Sequence, residues 1–541
     1  MSATEDKTPK PFVREATGLV REMGAFDSFV FNFLSMNLFG VFVLMVFAIG
    51  LYQSASIGFS TAIALVPALI IALVYVVMSV AMPRTGGDYV WVSRVINPVV
   101  GFVVNFGFTF VLFTFIALDV TVFTQWGVGA YFYGIFVNTG SQAALNIFSA
   151  LNAPNSLLVF GIAVLLIVIV SLIAAFGTRN ALRVQKAVWV LVILAIIVYL
   201  GLALSVGHTG FVNNFNALSG TNETAIVSAA TSNGFNPTAT LSGTLLGFVF
   251  MFLNFTGFNY SAYLSGEIRN IRKSQLIGIV GSLLVFAALL ITVVEVTQDV
   301  FGFNFFHALS YLFDLVFYGV NPSAPYPATL PPAFPEFLVG FLTSNPILIF
   351  IITIGFGISV LINAVPYMQV SVRNMFAWSF DRSVPSGLSR VDDRFHSPYV
   401  ALIVTAGLSI LITYLSVFTT VSLLFTYITF LFALLFFVVG VSALVFPFRM
   451  KSLFESSPSI VNRKVGGLPV ISILGALAAI SSVYIGYSLF TPAYSGPFVL
   501  QNFEVVLAVL FAPVLIYLVS YGYHKRRGLD IRRAQSEIPP E

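Results

Sequence analysis

Runs of about 20 consecutive apolar residues recur along almost the whole chain, and this pattern restricts the fold more than any other feature. Apolar residues make up 58% of the 541 residues, whereas charged residues make up only 9%. A water-soluble domain of this composition would expose too much apolar surface to stay dispersed. Because the runs are too long and too uniform for barrel strands, the sequence predicts an all-α polytopic membrane protein.

About twelve transmembrane helices are predicted from these runs. They centre near Leu38, Ile70, Leu112, Leu165, Leu194, Phe252, Val285, Phe356, Leu408, Phe432, Ala478 and Leu510. The chain contains no Cys, which excludes disulfides, thiolate metal sites and a cysteine nucleophile.

All 25 Lys and Arg residues lie in the two terminal segments and in every second connection between the predicted spans. Basic residues that merely avoided lipid would occur on both sides of the membrane. The positive-inside rule therefore places both termini in the cytoplasm and supports an even number of spans. We interpret the basic clusters as topology signals rather than as nucleic-acid or anionic-lipid sites, so no nucleic-acid partner is expected.

Polar residues and glycine interrupt two of the predicted spans. Span six reads "FLNFTGFNYSAYLSGEIRN" from Phe252, and span one contains "LSMNLFGVF" from Leu34. Such residues are costly in lipid unless they face protein or a water-filled cavity. Broken helices in many transporters expose main-chain groups that bind a small charged solute. We therefore predict discontinuous helices 1 and 6, which begin two five-helix repeats of opposite orientation, followed by two extra C-terminal helices.

These breaks and runs divide the chain into six predicted segments. They are an N-terminal cytoplasmic arm at 1–24, a first inverted repeat at 25–206, an extracellular loop at 207–240, a second inverted repeat at 241–446 that includes an extracellular loop at 298–345, two further helices at 447–524 and a cytoplasmic tail at 525–541. The two long extracellular loops contain no Lys or Arg. Their composition fits either a cover over an outer vestibule or a tolerated surface insertion.

Three motifs in the expected order resemble those of one transporter family. The segment "MPRTGGDYVWVSRVINPVVGF" is similar to its P-x-S-G-G-x-Y signature, "NFTGFNYSAYLSGEIRNIRKSQL" to its F-x-G-F/W core followed by E-(V/I)-(K/R)-N-P, and "RNMFAWSFDRSVPSGLSRV" to its R-x-(L/M)-(Y/F)-A-x-(A/S)-x-D segment. The matching residues are Pro83, Gly86, Gly87, Tyr89, Phe255, Gly257, Phe258, Glu267, Arg269, Asn270, Arg373, Phe376, Ala377, Asp381 and Pro385. Over roughly residues 24–518 the chain thus resembles the amino acid–polyamine–organocation permeases, which share the leucine-transporter fold.

The resemblance implies a substrate site at the two breaks. Carried over residue by residue, it comprises Ser35, Asn37, Phe39, Gly40, Asn254, Phe255, Thr256, Gly257, Phe258 and Asn259. The chain departs from the family in span one, where Leu38 and Phe39 occupy positions that are often small, and Asn37 is expected to supply a side-chain donor. Asn259 stands where many relatives carry an acid, which argues against a dicationic substrate.

The coupling ion has two groups of candidates. Asp119 is the one acid well inside a predicted span, and an intramembrane acid is a functional candidate for proton coupling. In this fold a sodium site lies between spans one and eight, where Ser359 and Asn363 are the nearby polar residues. The alternatives are exchange without a coupling ion and proton coupling through residues other than Asp119. No cofactor is expected apart from a transported H⁺ or Na⁺, and no metal or catalytic residue is predicted.

Together these features predict a secondary active transporter of the plasma membrane that moves neutral or hydrophobic amino acids by alternating access with proton coupling. The alternatives are a transporter of polyamines or other organic amines, an amino acid exchanger, and a solute sensor that transports nothing. An enzyme is disfavoured because the four His residues are scattered and no pair of catalytic acids is evident. The expected partners are a small amino acid or amine and the lipid bilayer, and the sequence does not indicate an oligomeric state.

Charged residues next to the predicted breaks suggest a gate on the cytoplasmic side. Glu267 lies near Arg269 in sequence, and Asp381 lies beside Arg382. We expect each acid to pair with its sequence neighbour, either as part of a gate that opens and closes or as static surface pairs of small energetic value.

Overall fold

A computed structural model describes residues 21–392, 394–395, 397–419, 428–490, 500–528 and 535. Most of the predicted N-terminal arm and most of the predicted C-terminal tail lie outside these residues. The described chain is almost entirely helical, which confirms the predicted all-α polytopic fold.

The helices of the first half follow the chain in this order. They are α1 Ala25–Ser35, α2 Gly40–Leu51, α3 Ile57–Ala81, α4 Asp88–Val95, α5 Pro98–Val122, α6 Gly129–Thr139, α7 Gln142–Leu151, α8 Leu157–Ala175, α9 Thr178–Leu218, α10 Glu223–Ser232 and α11 Leu241–Phe255. A π-helical segment, Phe123–Val128, joins α5 to α6 into one long crossing.

The second half continues in the same manner. Its helices are α12 Ile271–Gln275, α13 Ser282–Phe301, α14 Phe303–Phe317, α15 Pro335–Leu338, α16 Pro346–Phe380, α17 Tyr399–Phe418, α18 Phe430–Arg449, α19 Lys451–Ser456, α20 Ser459–Asn462, α21 Val470–Leu489 and α22 Leu500–Arg526. A π-helical segment, Leu276–Gly281, joins α12 to α13. A two-residue antiparallel ladder pairs β1 Lys464–Val465 with β2 Leu468–Pro469.

Both predicted breaks are present. Among the described residues, ten helical segments are long and apolar enough to cross a membrane, and the bent pair α1 and α2 adds an eleventh crossing. The remaining predicted span begins with α11, which has only 15 residues and ends at Phe255. The chain then continues as two 3₁₀ turns, Tyr260–Tyr263 and Ser265–Glu267, instead of a second α-helical half.

The two breaks contact each other directly. After α1, Met36 adopts an extended conformation, and the N–H of Asn37 donates to the main-chain carbonyl of Asn254 at 3.2 Å. Gly257 has a φ of +109°, a region that favours glycine. A Cβ atom added at this position would lie 2.2 Å from the Ser35 carbonyl oxygen. Glycine is therefore needed here because the backbones of the two broken spans nearly touch.

An Asn-Pro pair starts the third membrane span of each predicted repeat, namely α5 in the first repeat and α16 in the second. Asn97 accepts from the N–H of Val99 at 2.8 Å at the start of α5, and Asn345 accepts from that of Ile347 at 2.9 Å at the start of α16. Proline at the first helical position has no N–H that would need a partner. The same cap on equivalent helices supports the interpretation of two related repeats.

Burial separates the interior helices from the lipid-facing ones. In the segment Pro98–Thr139, 67% of the apolar window is buried inside the protein, whereas only 28% of Leu157–Ala175 is buried. The crossing formed by α5 and α6 therefore belongs to the protein interior, and the exposed apolar side chains of α8 face lipid. We call the side that carries the Lys and Arg connections the basic side.

Candidate functional site

A cavity of about 450 Å³ lies between the two breaks and extends away from the basic side. Four of the predicted substrate-binding residues line it, namely Asn37, Phe39, Gly40 and Thr256. Its size falls within the range of small-molecule sites. The far end of the cavity is lined by Phe317 and Tyr318, which follow each other at the end of α14.

One face of α5 and its π-helical extension supplies much of the cavity wall. The lining residues Phe115, Leu118, Asp119, Val122 and Trp126 recur at the three- and four-residue spacing of a helix face. Of these residues, only Asp119 was predicted from the sequence. Reading the helical period outward from that acid would have identified the other members.

Asp119 is the acid that lines the cavity, and it is only 4% exposed. Among the described residues its Oδ2 atom has no hydrogen-bond partner. Tyr367 lines the same cavity, and the Tyr260 hydroxyl is likewise buried without a hydrogen-bond partner among the described residues. An ionised carboxylate at such a place costs several kcal/mol, and a bound proton or a substrate ammonium group would remove that cost.

Six of the predicted substrate-binding residues do not line the cavity but pack around it. Phe255 contacts Phe286, with ring centroids 6.2 Å apart, and Phe258 stacks on Phe436 at 6.1 Å. The other four residues are also buried. They are Ser35, Asn254, Gly257 and Asn259. All six residues are buried in the packing around the cavity.

The amide of Asn37 caps the second half of the broken first span. Its Oδ1 atom accepts from the N–H of Gly40 at 2.7 Å. The side chain thus occupies one of the main-chain N–H groups at the start of α2. Asn37 also lines the cavity, and its role as a donor to the substrate stays a prediction.

On the basic side, a buried ion pair links α16 to the turn that follows the break in span six. Arg373 in α16 binds Glu267 through Nε at 2.9 Å and through Nη2 at 3.0 Å. Thr178 at the start of α9 donates to Glu267 at 2.5 Å and accepts from Arg373 at 2.8 Å. All three side chains are buried, so the charge of the Glu267 carboxylate is balanced by Arg373 within the protein.

A second buried ion pair lies nearby. Arg94 in α4 holds Asp381 with two nitrogens, at 2.5 and 2.8 Å, and the Tyr89 hydroxyl donates to the same carboxylate at 3.0 Å. The expected pairs of Glu267 with Arg269 and of Asp381 with Arg382 are therefore wrong. Arg269 instead donates to the Arg21 carbonyl, and Arg382 has a left-handed backbone at φ +60°.

Asp88 forms a third polar cluster beside these pairs. It accepts from Tyr75 at 2.7 Å and from Asn105 at 2.8 Å, and it also accepts from Tyr263. Burial raises the pKa of Asp88 to about 6, although the hydrogen bonds from the phenols and the amide act in the opposite direction. The cluster joins α3, α4 and α5 to the 3₁₀ turn after the break in span six, which fixes the position of that turn.

Replacing Arg94 with lysine is expected to loosen the basic side. Lysine keeps the positive charge but cannot bind the Asp381 carboxylate through two nitrogens. This loss costs about 1.4 kcal/mol, which raises the equilibrium constant for opening of the basic side about tenfold. Because the chain has no Cys, a single cysteine at the buried Ala262 reports opening through its rate of thiol labelling from the basic side. We expect about tenfold faster labelling in Arg94→Lys. The control Arg183→Lys, at an exposed position, should leave the labelling rate unchanged. An unchanged rate in Arg94→Lys would contradict the role of the Arg94–Asp381 pair in holding the basic side together.

The long connections opposite the basic side fold over the cavity. Phe47 in α2 packs against Phe317, Tyr318 and Phe334, with ring centroids 5.2, 5.5 and 5.6 Å apart. Tyr133 donates to the Thr329 carbonyl at 3.1 Å. The sequence left two alternatives for the long loops, a cover over an outer vestibule and a tolerated surface insertion. These contacts favour the first alternative.

Two acids in this cover are buried without hydrogen-bond partners among the described residues. They are Asp314 in α14 and Glu336 in α15. Burial raises the pKa of each carboxyl well above its ordinary value. The neutral form is thereby favoured, which allows these segments to pack as apolar elements.

The two residues predicted for a sodium site, Ser359 and Asn363, lie outside the cavity. Ser359 and Asn363 are buried in α16 beside the end of α1 and do not line the cavity. The Ser359 hydroxyl donates to the Phe356 carbonyl of its own helix at 2.6 Å. Within the part of the chain that the structure describes, no group of three or more His, Asp or Glu side chains could hold a metal ion.

Comparison with known proteins gives two matches. A sequence model of a family described as amino acid permease matches residues 23–515, which is well over half of the chain. The branched-chain amino acid permease BcaP of Bacillus subtilis (strain 168) is 23% identical over 396 residues, which cover 73% of this chain and 74% of that protein.

Proposed function

Because the chain belongs to the amino acid permease family, we propose that it moves neutral, apolar amino acids across the plasma membrane by alternating access, with proton coupling. It is a multi-pass membrane transporter and not an enzyme. The observation that carries the proposal is the cavity between the two breaks, which combines an apolar wall with a single buried acid.

The apolar wall supports a hydrophobic substrate side chain. Phe39, Val43, Phe115, Leu253 and Val360 line the cavity from several different helices. Burying a side chain the size of leucine in such surroundings contributes about 1.5–3 kcal/mol. The relative BcaP is named a branched-chain amino acid permease, which agrees with a substrate of this size and character.

Polar groups at the breaks suit the charged end of an amino acid. The start of α2 carries partial positive charge and the end of α11 carries partial negative charge, as at any pair of helix termini. Asn37, Gly40 and Thr256 line the cavity at these termini. We propose that the substrate carboxylate meets the start of α2 and that its ammonium group meets the carbonyl end of α11.

Asp119 is the proposed proton site. It lines the same cavity as the substrate and has an unpartnered carboxyl oxygen. A proton bound there would remove the cost of a buried charge, so its arrival and departure can be linked to the change between open states.

The proposed orientation places the basic side and both termini in the cytoplasm. The cavity then extends toward the outside while the three polar clusters close the cytoplasmic side. In alternating access, this arrangement corresponds to the state that receives substrate from outside.

A counterflow experiment tests the substrate class. Purified protein in liposomes loaded with unlabelled leucine should take up labelled leucine, and external isoleucine, valine or phenylalanine should compete with it. Lysine, glutamate and putrescine should compete at least about tenfold less well, because a second charge would have to enter the apolar part of the cavity at a cost above about 1.4 kcal/mol. Equal competition by the charged compounds would contradict the proposal.

One observation favours a second candidate, the transport of organic amines. Asp119 faces the cavity together with the Tyr367 ring, and an acid beside aromatic rings is a suitable site for an ammonium group. If putrescine or another amine were the best competitor in the same assay, this alternative would replace the neutral amino acid.

A further inference from the structure

Basic residues from two separate connections meet at one cavity on the basic side, which we call the basic cavity. Its volume is about 310 Å³, within the range of small-molecule sites. Four basic side chains line it, namely Arg179, Arg183 and Lys186 of α9 and Arg269 in the turn after the break in span six. Membrane topology requires positive charge on this side, but it does not require that residues distant in sequence meet at one cavity.

The basic cavity keeps an excess of positive charge. Lys186 pairs with Asp27 of α1, with the Nζ and Oδ1 atoms 2.9 Å apart, so these two charges cancel. Within the described chain, the only other acid that lines the cavity is Glu22. None of the three lining arginines forms an ion pair with a carboxylate of the described residues. Three positive charges against one negative charge leave a net charge of +2, which favours an anionic ligand.

The arginines reach the basic cavity from two different elements. Arg179 and Arg183 are four residues apart in α9, so they lie on one face of its first turns. Main-chain contacts hold Arg269, whose N–H donates to the Met23 carbonyl at 2.8 Å and whose Nε donates to the Arg21 carbonyl at 2.9 Å. All three arginines are exposed. Guanidinium groups in such an arrangement bind phosphate oxygens through several N–H donors.

Aromatic side chains beside the basic cavity place it next to lipid. Phe26, which precedes the lining residue Asp27 in α1, is 54% exposed. Trp189 lies one turn after Lys186 in α9, and its ring contacts that of Phe26 edge-on with centroids 5.8 Å apart. From Ala187 the helix continues as a run of apolar residues, so the arginines lie where this span leaves the hydrocarbon. Phospholipid headgroups lie at the same depth.

We propose that the basic cavity binds the phosphate headgroup of an anionic phospholipid on the basic side of the membrane. Arg179 and Arg183 bind the phosphate from α9, Arg269 binds it from the turn after the break in span six, and the acyl chains lie along Phe26 and Trp189. A bound headgroup thus ties α9 to that turn and stabilises the folded protein. The proposal goes beyond the transport function, and it depends on neither the proposed substrate nor the proposed coupling ion.

Native mass spectrometry of the purified full-length protein measures its affinity for single lipids. The protein is titrated with phosphatidylglycerol, which is anionic, or with phosphatidylcholine of the same acyl chains, which is zwitterionic. One basic side chain near an anionic headgroup changes the affinity about fivefold. Because the cavity has a net charge of +2, we expect the first phosphatidylglycerol to bind about 25-fold more tightly than the first phosphatidylcholine.

Two variants locate the lipid site. Arg269→Gln should weaken phosphatidylglycerol binding about fivefold, while phosphatidylcholine binding stays within a factor of about two. Arg179→Gln combined with Arg183→Gln should weaken it about 25-fold. The matched control, Arg390→Gln combined with Arg463→Gln, removes two charges from exposed residues outside the cavity and should keep the native preference. Cavity variants that keep the preference, or a control that loses it equally, would overturn the proposal.

Melting temperatures distinguish a lipid headgroup from a soluble phosphate. Phosphatidylglycerol should raise the melting temperature of the detergent-purified protein by a few °C more than phosphatidylcholine does, and the cavity variants should lose this difference. Inorganic phosphate, compared with chloride at the same ionic strength, should change the native protein and the cavity variants equally. A rise with inorganic phosphate that the cavity variants lose, without any effect of phosphatidylglycerol, would assign the cavity to a soluble anion and overturn the proposal.

Discussion

The rate of leucine uptake by Gly257→Ala is expected to fall at least about 100-fold, although the variant still inserts into the membrane. The added Cβ atom would lie 2.2 Å from the carbonyl oxygen and 2.5 Å from the carbonyl carbon of Ser35, both of which are main-chain atoms. Alanine is also strained at a φ of +109°. Together these effects cost at least about 3 kcal/mol, and each 1.36 kcal/mol corresponds to about a factor of ten in rate.

The measurement compares initial uptake rates in proteoliposomes that contain equal amounts of each variant. Gly407→Ala in α17 is the matched control, because no atom lies within 4 Å of a Cβ added there. Its rate should equal that of the unsubstituted protein within about a factor of two. Normal uptake by Gly257→Ala would mean that the close contact between the two broken spans is not needed for transport.

The substitution Asp119→Asn is expected to abolish concentrative uptake driven by a proton gradient. Asparagine has nearly the same shape as aspartate but cannot bind and release a proton. Because the cavity itself is preserved, exchange of internal for external leucine should continue within about a factor of three of the normal rate. The loss of accumulation with retained exchange is the specific signature of a proton site.

The control removes a carboxylate from a position outside the cavity. Asp299→Asn, at an exposed position near the end of α13, should leave both accumulation and exchange unchanged. If Asp119→Asn still concentrated leucine under a proton gradient, the coupling site would have to lie elsewhere. If it lost both accumulation and exchange, Asp119 would be needed for substrate binding, as the organic-amine alternative requires.

The sequence predicted the spans well because lipid imposes a simple rule on every crossing. Apolar runs of sufficient length and the distribution of Lys and Arg are local properties, and they can be read without knowledge of tertiary contacts. The breaks were also predictable, since residues such as Asn37 and Gly257 are costly in a continuous lipid-facing helix. The 3₁₀ turns after Phe255 were not predicted, because residues 260–267 have no pattern that distinguishes them from a helix half.

The polar clusters on the basic side show where prediction from sequence fails. Glu267 was expected to pair with Arg269, two residues away, but its partner is Arg373. Asp381 was expected to pair with Arg382, but it pairs with Arg94. Buried ion pairs need partners that can be enclosed together, and such partners come from separate helices. Proximity along the chain therefore does not predict them.

Only some of the cavity residues were predicted, because the others reach the cavity through contacts between segments that are distant in sequence. The resemblance identified the break residues, of which Asn37, Phe39, Gly40 and Thr256 line the cavity. It did not identify Phe317 and Tyr318, because they lie in a connection whose position over the cavity depends on packing against Phe47.

The most direct test of the account is leucine uptake into proteoliposomes under separate ion gradients. An inwardly directed proton gradient is expected to drive leucine accumulation above the external concentration. A sodium gradient of equal size at constant pH should give no more uptake than choline. Accumulation driven only by the sodium gradient, or no leucine transport under any gradient together with absent counterflow, would contradict a proton-coupled amino acid permease.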